Sequence, residues 1–268
     1  MGSANLIPLL KKDGKSVRPV AVGEVLRRLV SKCCVKQVST AAAQYLQPMQ
    51  VGVRMRNGAE AVLHAFNRLI RDPDKCDADT VLVLVDFSNA FNQVNRNSML
   101  DAVFERFPGI YGWVQYCYGV RSKLFVGTDS IESCSGCQQG DPLGPLLFAV
   151  VLQPLLLHLR QSFPSLTLGA FLDDVSMAGS IQNANDALLW LQHEGSRHGL
   201  HVSPTKTIVW SPSRADLQDS DYFRGITHSM DDGVELLGGA VSTSHFISSV
   251  IGKRVDKCIQ TLDTNSHI

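Results

Sequence analysis

The 268-residue chain has no apolar run long enough to cross a membrane: the longest, Leu143 to Leu152, is broken by Gly144 and Pro145 and falls short of the roughly 20 residues a spanning helix needs. Met1 to Pro8 carries neither a charged leader nor a long apolar stretch, which argues against a secretory signal. Net charge is missing too, with 25 Lys and Arg against 25 Asp and Glu. With 44% hydrophobic and 19% charged residues, however, the chain is too apolar to remain disordered. No internal repeat or low-complexity segment interrupts it. Seven cysteines, an odd number without a secretory signal, point to a reducing intracellular setting, nucleus or cytoplasm, and to free thiols. Cys134-Ser135-Gly136-Cys137 is the one C-x-x-C, and no second pair follows at the spacing a structural zinc site needs.

The zero net charge conceals an asymmetry. Up to Arg71 there are twelve Lys and Arg against three Asp and Glu, and the remainder holds thirteen against twenty-two. A basic first quarter suits polyanions, and an acidic remainder suits cations. The length is that of a folded enzyme.

Ala59 to Ile70 has Val62, Leu63, Phe66, Leu69 and Ile70 at helical spacing. Val81 to Val85 is a wholly apolar, β-branched-rich run ending at Asp86, which reads as a central strand. Helical patterns follow at Asn97–Phe107 and Tyr111–Tyr118, and a hairpin is expected across Lys123–Val126 and Ser130–Ser133. Pro142–Arg160 reads as an apolar helix. Leu166–Leu172 and Val175–Ala178 read as strands flanking Asp173-Asp174, which places the aspartates at the tip of a tight hairpin. Ala184–His198 is an amphipathic helix stopped by Gly199. Leu200–Ser203, Thr207–Trp210 and Val234–Leu237 complete the expected strands. The fold class is α+β, an antiparallel sheet with helices on one face.

If the strand ending at Asp86 neighbours the Asp173-Asp174 hairpin, three carboxylates converge at one sheet edge. Like charges so close repel and raise each other's pKa. Two divalent cations about 3.5 to 4 Å apart would neutralise them while activating an attacking oxygen and stabilising a leaving one. Mg²⁺ suits such an all-oxygen site, with Mn²⁺ as a substitute. A lone Asp-Asp turn would be unremarkable, but this one is not alone.

Asp86-Phe87-Ser88-Asn89-Ala90-Phe91, Gln139-Gly140-Asp141-Pro142-Leu143-Gly144-Pro145-Leu146-Leu147-Phe148 and Phe171-Leu172-Asp173-Asp174 occur in this order. Together they resemble the palm motifs of reverse transcriptases, in particular those of non-LTR retrotransposons and group II introns. Lys11-Lys12-Asp13-Gly14-Lys15 with Arg18-Pro19-Val20, then Gln50-Val51-Gly52-Val53-Arg54, are similar to upstream motifs of the same family. Gly199 to Thr207 resembles the next palm motif, and Leu236-Leu237-Gly238 resembles the primer-grip strand.

The resemblance implies a right-hand polymerase that copies an RNA template onto a DNA primer from deoxynucleoside triphosphates, with two Mg²⁺ ions and no membrane. Asp86, Asp173 and Asp174 would hold the ions, with the Phe87 carbonyl as a backbone ligand. Phe91 would be the steric gate that excludes a 2′-hydroxyl. Gln139-Gly140 would open a helix and let backbone approach the base pair. Arg18 and one of Lys11 and Lys12 would grip the triphosphate, and Lys206 would protonate departing pyrophosphate. Fingers are expected over 1–75, palm over 76–232 with an inserted finger segment at about 108–137, and primer-grip strands with a truncated thumb over 233–268. That length leaves no room for an endonuclease, an RNase H segment or a full thumb.

Two departures stand out. Leu172 replaces the usual small residue before the aspartates, and Asn89 and Asn92 replace charged ones. A viral RNA-dependent RNA polymerase would carry Gly-Asp-Asp and a second aspartate where Phe91 stands, and a nucleotide cyclase would leave the basic fingers unexplained. The rival from another class is a truncated or domesticated retroelement fragment acting as an inactive RNA-binding module.

Overall fold

The computed structural model describes residues 3–10, 14, 17–213, 217, 221–242 and 244–265. The chain opens with an antiparallel hairpin, β1 (Ala4–Leu10) and β2 (Val17–Gly23), and continues into the 22-residue helix α1 (Val25–Leu46). No apolar stripe announces α1. It turns Arg27, Ser31, Cys34, Val38, Ala42 and Leu46 inward at helical spacing while Val25, Leu26 and Leu29 stay exposed. Helix α2 (Gly58–Arg71) buries Val62, Phe66 and Ile70. After β3 (Thr80–Val85) come the single turn α3 (Ala90–Gln93), α4 (Arg96–Arg106) and α5 (Pro108–Tyr118). The Asn95 side chain caps α4 by accepting from the Asn97 and Ser98 N–H groups.

The hairpin β4 (Ser122–Val126) and β5 (Asp129–Ser133) leads to α6 (Gly144–Ser162). Strands β6 (Thr167–Phe171) and β7 (Asp174–Ser180) precede α7 (Ile181–Arg197), and β8 (Ile208–Trp210) and β9 (Thr227–Ser229) follow it. A last hairpin, β10 (Gly233–Leu236) and β11 (Gly239–Ser242), ends in α8 (Ser244–Asn265).

Three sheets result. β4 pairs parallel to β1, so both early hairpins form one sheet in the order β2-β1-β4-β5. The central sheet runs β6-β7-β3-β8-β9, antiparallel except for β8 with β9, and β10-β11 stands apart. The α+β class expected from the sequence is what the structure has. β3 is apolar throughout because both its faces are covered. Val81, Val83 and Val85 meet the side formed by α4, α6 and α7, while Leu82 meets Phe66 of α2 together with Trp210, Val234 and Val241. Helix α6 is the spine of the first side, with Leu146, Leu147, Phe148, Val150, Leu152 and Leu156 buried. Each such side chain contributes roughly 1.5–3 kcal/mol before the entropy of ordering is subtracted.

Register fixes where the chemistry can lie. Val85 stands opposite Val175, and Leu84 opposite Ile208. Both neighbours run against β3, so the residues after Val85, before Val175 and before Ile208 leave the sheet at one edge.

Two local expectations are corrected. Leu200–Ser203 is not a strand: only Val202 bridges, to Phe87, because the Ser203 N–H bonds the Asp86 carbonyl and the chain then turns toward Thr207. Gln139-Gly140 does not open a helix. α6 starts at Gly144, after a turn in which the Asp141 carboxylate accepts the Leu143 N–H.

Candidate active site

Asp86 follows β3 directly, Asp173 lies in the turn between β6 and β7, and Asp174 is the first residue of β7, paired with Phe171. The turn is therefore Leu172-Asp173, one residue earlier than the tip expected from sequence. All three aspartates line one polar cavity of about 330 Å³, shared with Arg18, Phe87, Phe91, Gln139 and Lys206. Burial, then the Asp86 charge, raises the Asp173 carboxyl, and Arg18 works in the opposite direction. Asp174 is pushed up to about 6 by desolvation, then by Asp173 and Asp86. Asp86 Oδ1 is buried without a hydrogen-bond donor. Mutually repelling carboxylates around an oxygen that accepts no hydrogen bond are the donor chemistry that hard divalent cations satisfy. Among the described residues, no three Asp, Glu, His or Cys side chains already form a closed ligand cluster.

Lys206 reaches this edge because β8 runs beside β3. Its Nζ lies 3.8 Å from Asp86 Oδ1, and the side chain is 60% exposed. The neighbouring Thr207 is fully buried, and its hydroxyl accepts the Asp86 N–H at 3.2 Å. Phe87 is buried and bridged to Val202, while the Ser88 N–H bonds the His201 carbonyl, so the strand end is zipped to the 201–207 segment. The turn Leu236-Leu237-Gly238 lines a second cavity of about 340 Å³ with Asp86, Asp174 and Lys206.

Phe91, in α3, is half-buried and stacks on Phe148 with ring centroids 4.8 Å apart. It also faces a larger cavity of about 620 Å³, lined by Arg18, Arg28, Lys32, Gln139, Gly140 and Asp173 among others. Phe91 is thus at once core and cavity wall. Gly140 has φ +120°, and a Cβ there would stand 2.6 Å from the Ala21 carbonyl oxygen. The adjacent Gln139 carbonyl accepts the Ala21 N–H at 2.7 Å. The glycine is therefore required first by the close approach of β2, which the sequence could not show. Lys11 and Lys12 lie outside the described residues.

Two supports have partners that the sequence motifs did not reveal. Arg27 and Asp141 form an ion pair at 3.1 Å with both side chains 3% exposed, and the Tyr118 hydroxyl donates to the same Asp141 oxygen at 2.8 Å. The Tyr118 hydroxyl also accepts the Gln138 N–H. The guanidinium groups of Arg27 and Arg96 lie 5.3 and 5.4 Å from the Tyr118 ring centroid. This network holds the turn that carries Gln139 and Gly140. The second support is Gln50, which is fully buried and bonds the backbone of Leu172. In the lone C-x-x-C, Cys134 is exposed and Cys137 buried, and burial pushes the Cys137 thiol up to about 12.

Residues 10–241 match the family described as reverse transcriptase (RNA-dependent DNA polymerase). Over 182 residues the chain is 27% identical to the retrotransposable element SLACS 132 kDa protein of Trypanosoma brucei gambiense, covering 65% of this chain and 15% of that protein. Over 203 residues it is 29% identical to a retrovirus-related Pol polyprotein from the type-1 retrotransposable element R2 of Popillia japonica, covering 68% and 27%. The chain thus spans about a quarter or less of these relatives. Among solved structures it resembles apo telomerase from Candida tropicalis, truncated from its C-terminal domain, with TM-score 0.63 at 11% identity over 90% of this chain and 53% of that one. Telomerase from Candida albicans in complex with a fragment of telomeric RNA gives TM-score 0.61 at 10% identity over 90% and 44%. At that identity the likeness speaks for the fold alone.

Proposed function

Because the chain belongs to the reverse-transcriptase family, as the match across residues 10–241 establishes, we propose that it is the RNA-directed DNA polymerase domain of a non-LTR retroelement. The observation that carries this reading is the convergence of Asp86, Asp173 and Asp174 on one cavity with Arg18, Phe91, Gln139 and Lys206. The reaction is phosphoryl transfer: the primer 3′-oxygen bonds the α-phosphorus of a deoxynucleotide, the bond to the β-phosphate oxygen breaks, and pyrophosphate leaves. The family works with divalent ions, and two Mg²⁺ at this site would acidify the attacking hydroxyl and neutralise charge on the transferring phosphate.

Asp86, Asp173, Asp174 and the Phe87 carbonyl are the groups that would hold them. Arg18 grips the triphosphate by planar contacts, and Lys11 or Lys12 adds a point charge. Phe91, braced on Phe148, closes the space a 2′-hydroxyl would need. Lys206 is a solvent-reachable ammonium beside Asp86, able to give a proton to the departing pyrophosphate. In this reading the β2-β1-β4-β5 sheet and the 108–137 insertion serve as fingers, the central sheet as palm, and the β10-β11 turn as primer grip ahead of a thumb beginning with α8. RNA template, DNA primer and deoxynucleotides are the partners. No helix among the described residues is long and apolar enough to cross a membrane, and the free thiols suit a nuclear or cytoplasmic setting.

Primer extension on an RNA template with Mg²⁺ tests the proposal. Asp86→Asn and Asp173→Asn should each abolish extension while leaving the metal-free fold intact or slightly more stable, since one of three repelling charges is gone. Extension that survives either change refutes the assignment. A wild-type chain that binds RNA but never extends a primer would instead identify a non-catalytic RNA-binding module.

A further inference from the structure

The turn that presents Asp173 is held from outside its own hairpin. Leu172 has φ +56°, a left-handed conformation that a leucine rarely adopts. Both peptide groups flanking it are bonded to one side chain. Gln50 Oε1 accepts the Leu172 N–H at 2.7 Å, and Gln50 Nε2 donates to the Leu172 carbonyl at 3.0 Å. The same Oε1 accepts the Gly52 N–H at 3.0 Å, so Gln50 is itself locked by its own loop. The loop is attached to β6: the Val51 N–H bonds the Ala170 carbonyl at 2.8 Å, and the Ala170 N–H bonds the Met49 carbonyl at 2.7 Å. Gln50 is fully buried. Gly52 closes the arrangement, because a Cβ there would stand 2.6 Å from the Leu172 nitrogen.

We propose that Gln50 is a positioning residue for catalysis: by fixing the peptide planes on both sides of Leu172, it sets the direction in which Asp173 and Asp174 face Asp86. The proposal rests on the carboxylate reading above. The physical reason is that the Leu172 carbonyl belongs to the peptide that carries the Asp173 nitrogen, so rotation about that peptide moves the Asp173 side chain. Without the amide clasp, the left-handed turn loses what holds it and relaxes toward an extended leucine. Groups that orient a metal's ligands in this way typically change metal affinity or activity about 10- to 100-fold when removed.

The test uses the 268-residue chain and Mn²⁺ as probe, with free Mn²⁺ followed by electron paramagnetic resonance. Gln50→Met, which keeps length and burial but offers no hydrogen bonds, should weaken Mn²⁺ binding about 10- to 100-fold. It should lower kcat for primer extension by a similar factor and leave the nucleotide KM nearly unchanged. Gln50→Glu keeps the accepting oxygen and loses the amide donor; it serves if Gln50→Met does not fold, with a loss of about 10-fold expected. A folded variant with wild-type Mn²⁺ affinity and kcat, even one melting at lower temperature, reduces Gln50 to a structural residue and overturns the proposal. Asp86→Asn separates the two ideas. If it abolishes Mn²⁺ binding while the Gln50 variants bind normally, the clasp alone fails; if it binds Mn²⁺ normally, the carboxylate reading fails and takes the clasp with it.

Discussion

The Arg27–Asp141 pair offers the sharpest energetic test, because it joins α1 to the turn carrying Gln139 and Gly140 and is almost wholly out of water, 3% exposed on each side. Two opposite charges in that position are expensive to bury, and removing one partner leaves the other uncompensated, at a cost of about 3–5 kcal/mol. In Arg27→Met, Asp141 would keep the Tyr118 hydroxyl and the Leu143 N–H, which places the expected loss near the lower bound, about 3 kcal/mol. At roughly 2 °C or more per kcal/mol for a chain of this size, the melting temperature should fall by about 6 °C or more. Asp141→Asn alone should also destabilise, because Arg27 loses its buried carboxylate partner. Arg27→Met/Asp141→Asn should cost clearly less than the sum of the singles, because no buried charge is left over. Urea unfolding of the four proteins measures this directly. The same change should raise the nucleotide KM in primer extension, since the turn lines the larger cavity. An Arg27→Met loss within about 0.5 kcal/mol of zero, or strictly additive singles, would refute the reasoning, because the pair would then behave as a solvated one.

Phe91→Ala should raise ribonucleotide incorporation relative to deoxynucleotide and also cost about 2 kcal/mol, less than the ~3–5 of a fully buried phenylalanine, because the ring is only half-buried against Phe148; an unchanged incorporation ratio in single-nucleotide assays returns it to the core alone. Gly140→Ala should destabilise by about 3 kcal/mol, since it meets both a φ of +120° and the Ala21 carbonyl at 2.6 Å. Gly112→Ala, inside α5 with nothing within 4 Å of the added carbon, should stabilise by about 0.5–1 kcal/mol; thermal melts that rank the two the other way would contradict the packing described.

Where hydrophobic pattern decided local structure, the sequence was sufficient. The apolar run at 81–85, the stripe of α2, the apolar α6 and the strand segments flanking Asp173-Asp174 each became the element it announced. The ordered motifs also named the family, because Asp86 to Phe91, the Gln139-Gly140 turn and Phe171 to Asp174 are contiguous short strings. What the chain did not announce are features whose residues look wrong for their place. Helix α1 buries an arginine and a serine and exposes leucines, so its period is invisible until Asp141 and Tyr118 arrive from more than a hundred and nearly a hundred residues away to pair with that arginine. Gly140 reads as room for a substrate until β2 is seen filling the space. Gln50 opens a motif without a readable purpose until its amide is found around Leu172, which lies 122 residues later. Local pattern is set by the solvent each residue faces and survives in one dimension. A buried polar group is stabilised only by a partner that folding brings to it, so its purpose can be read only where the chain has met itself.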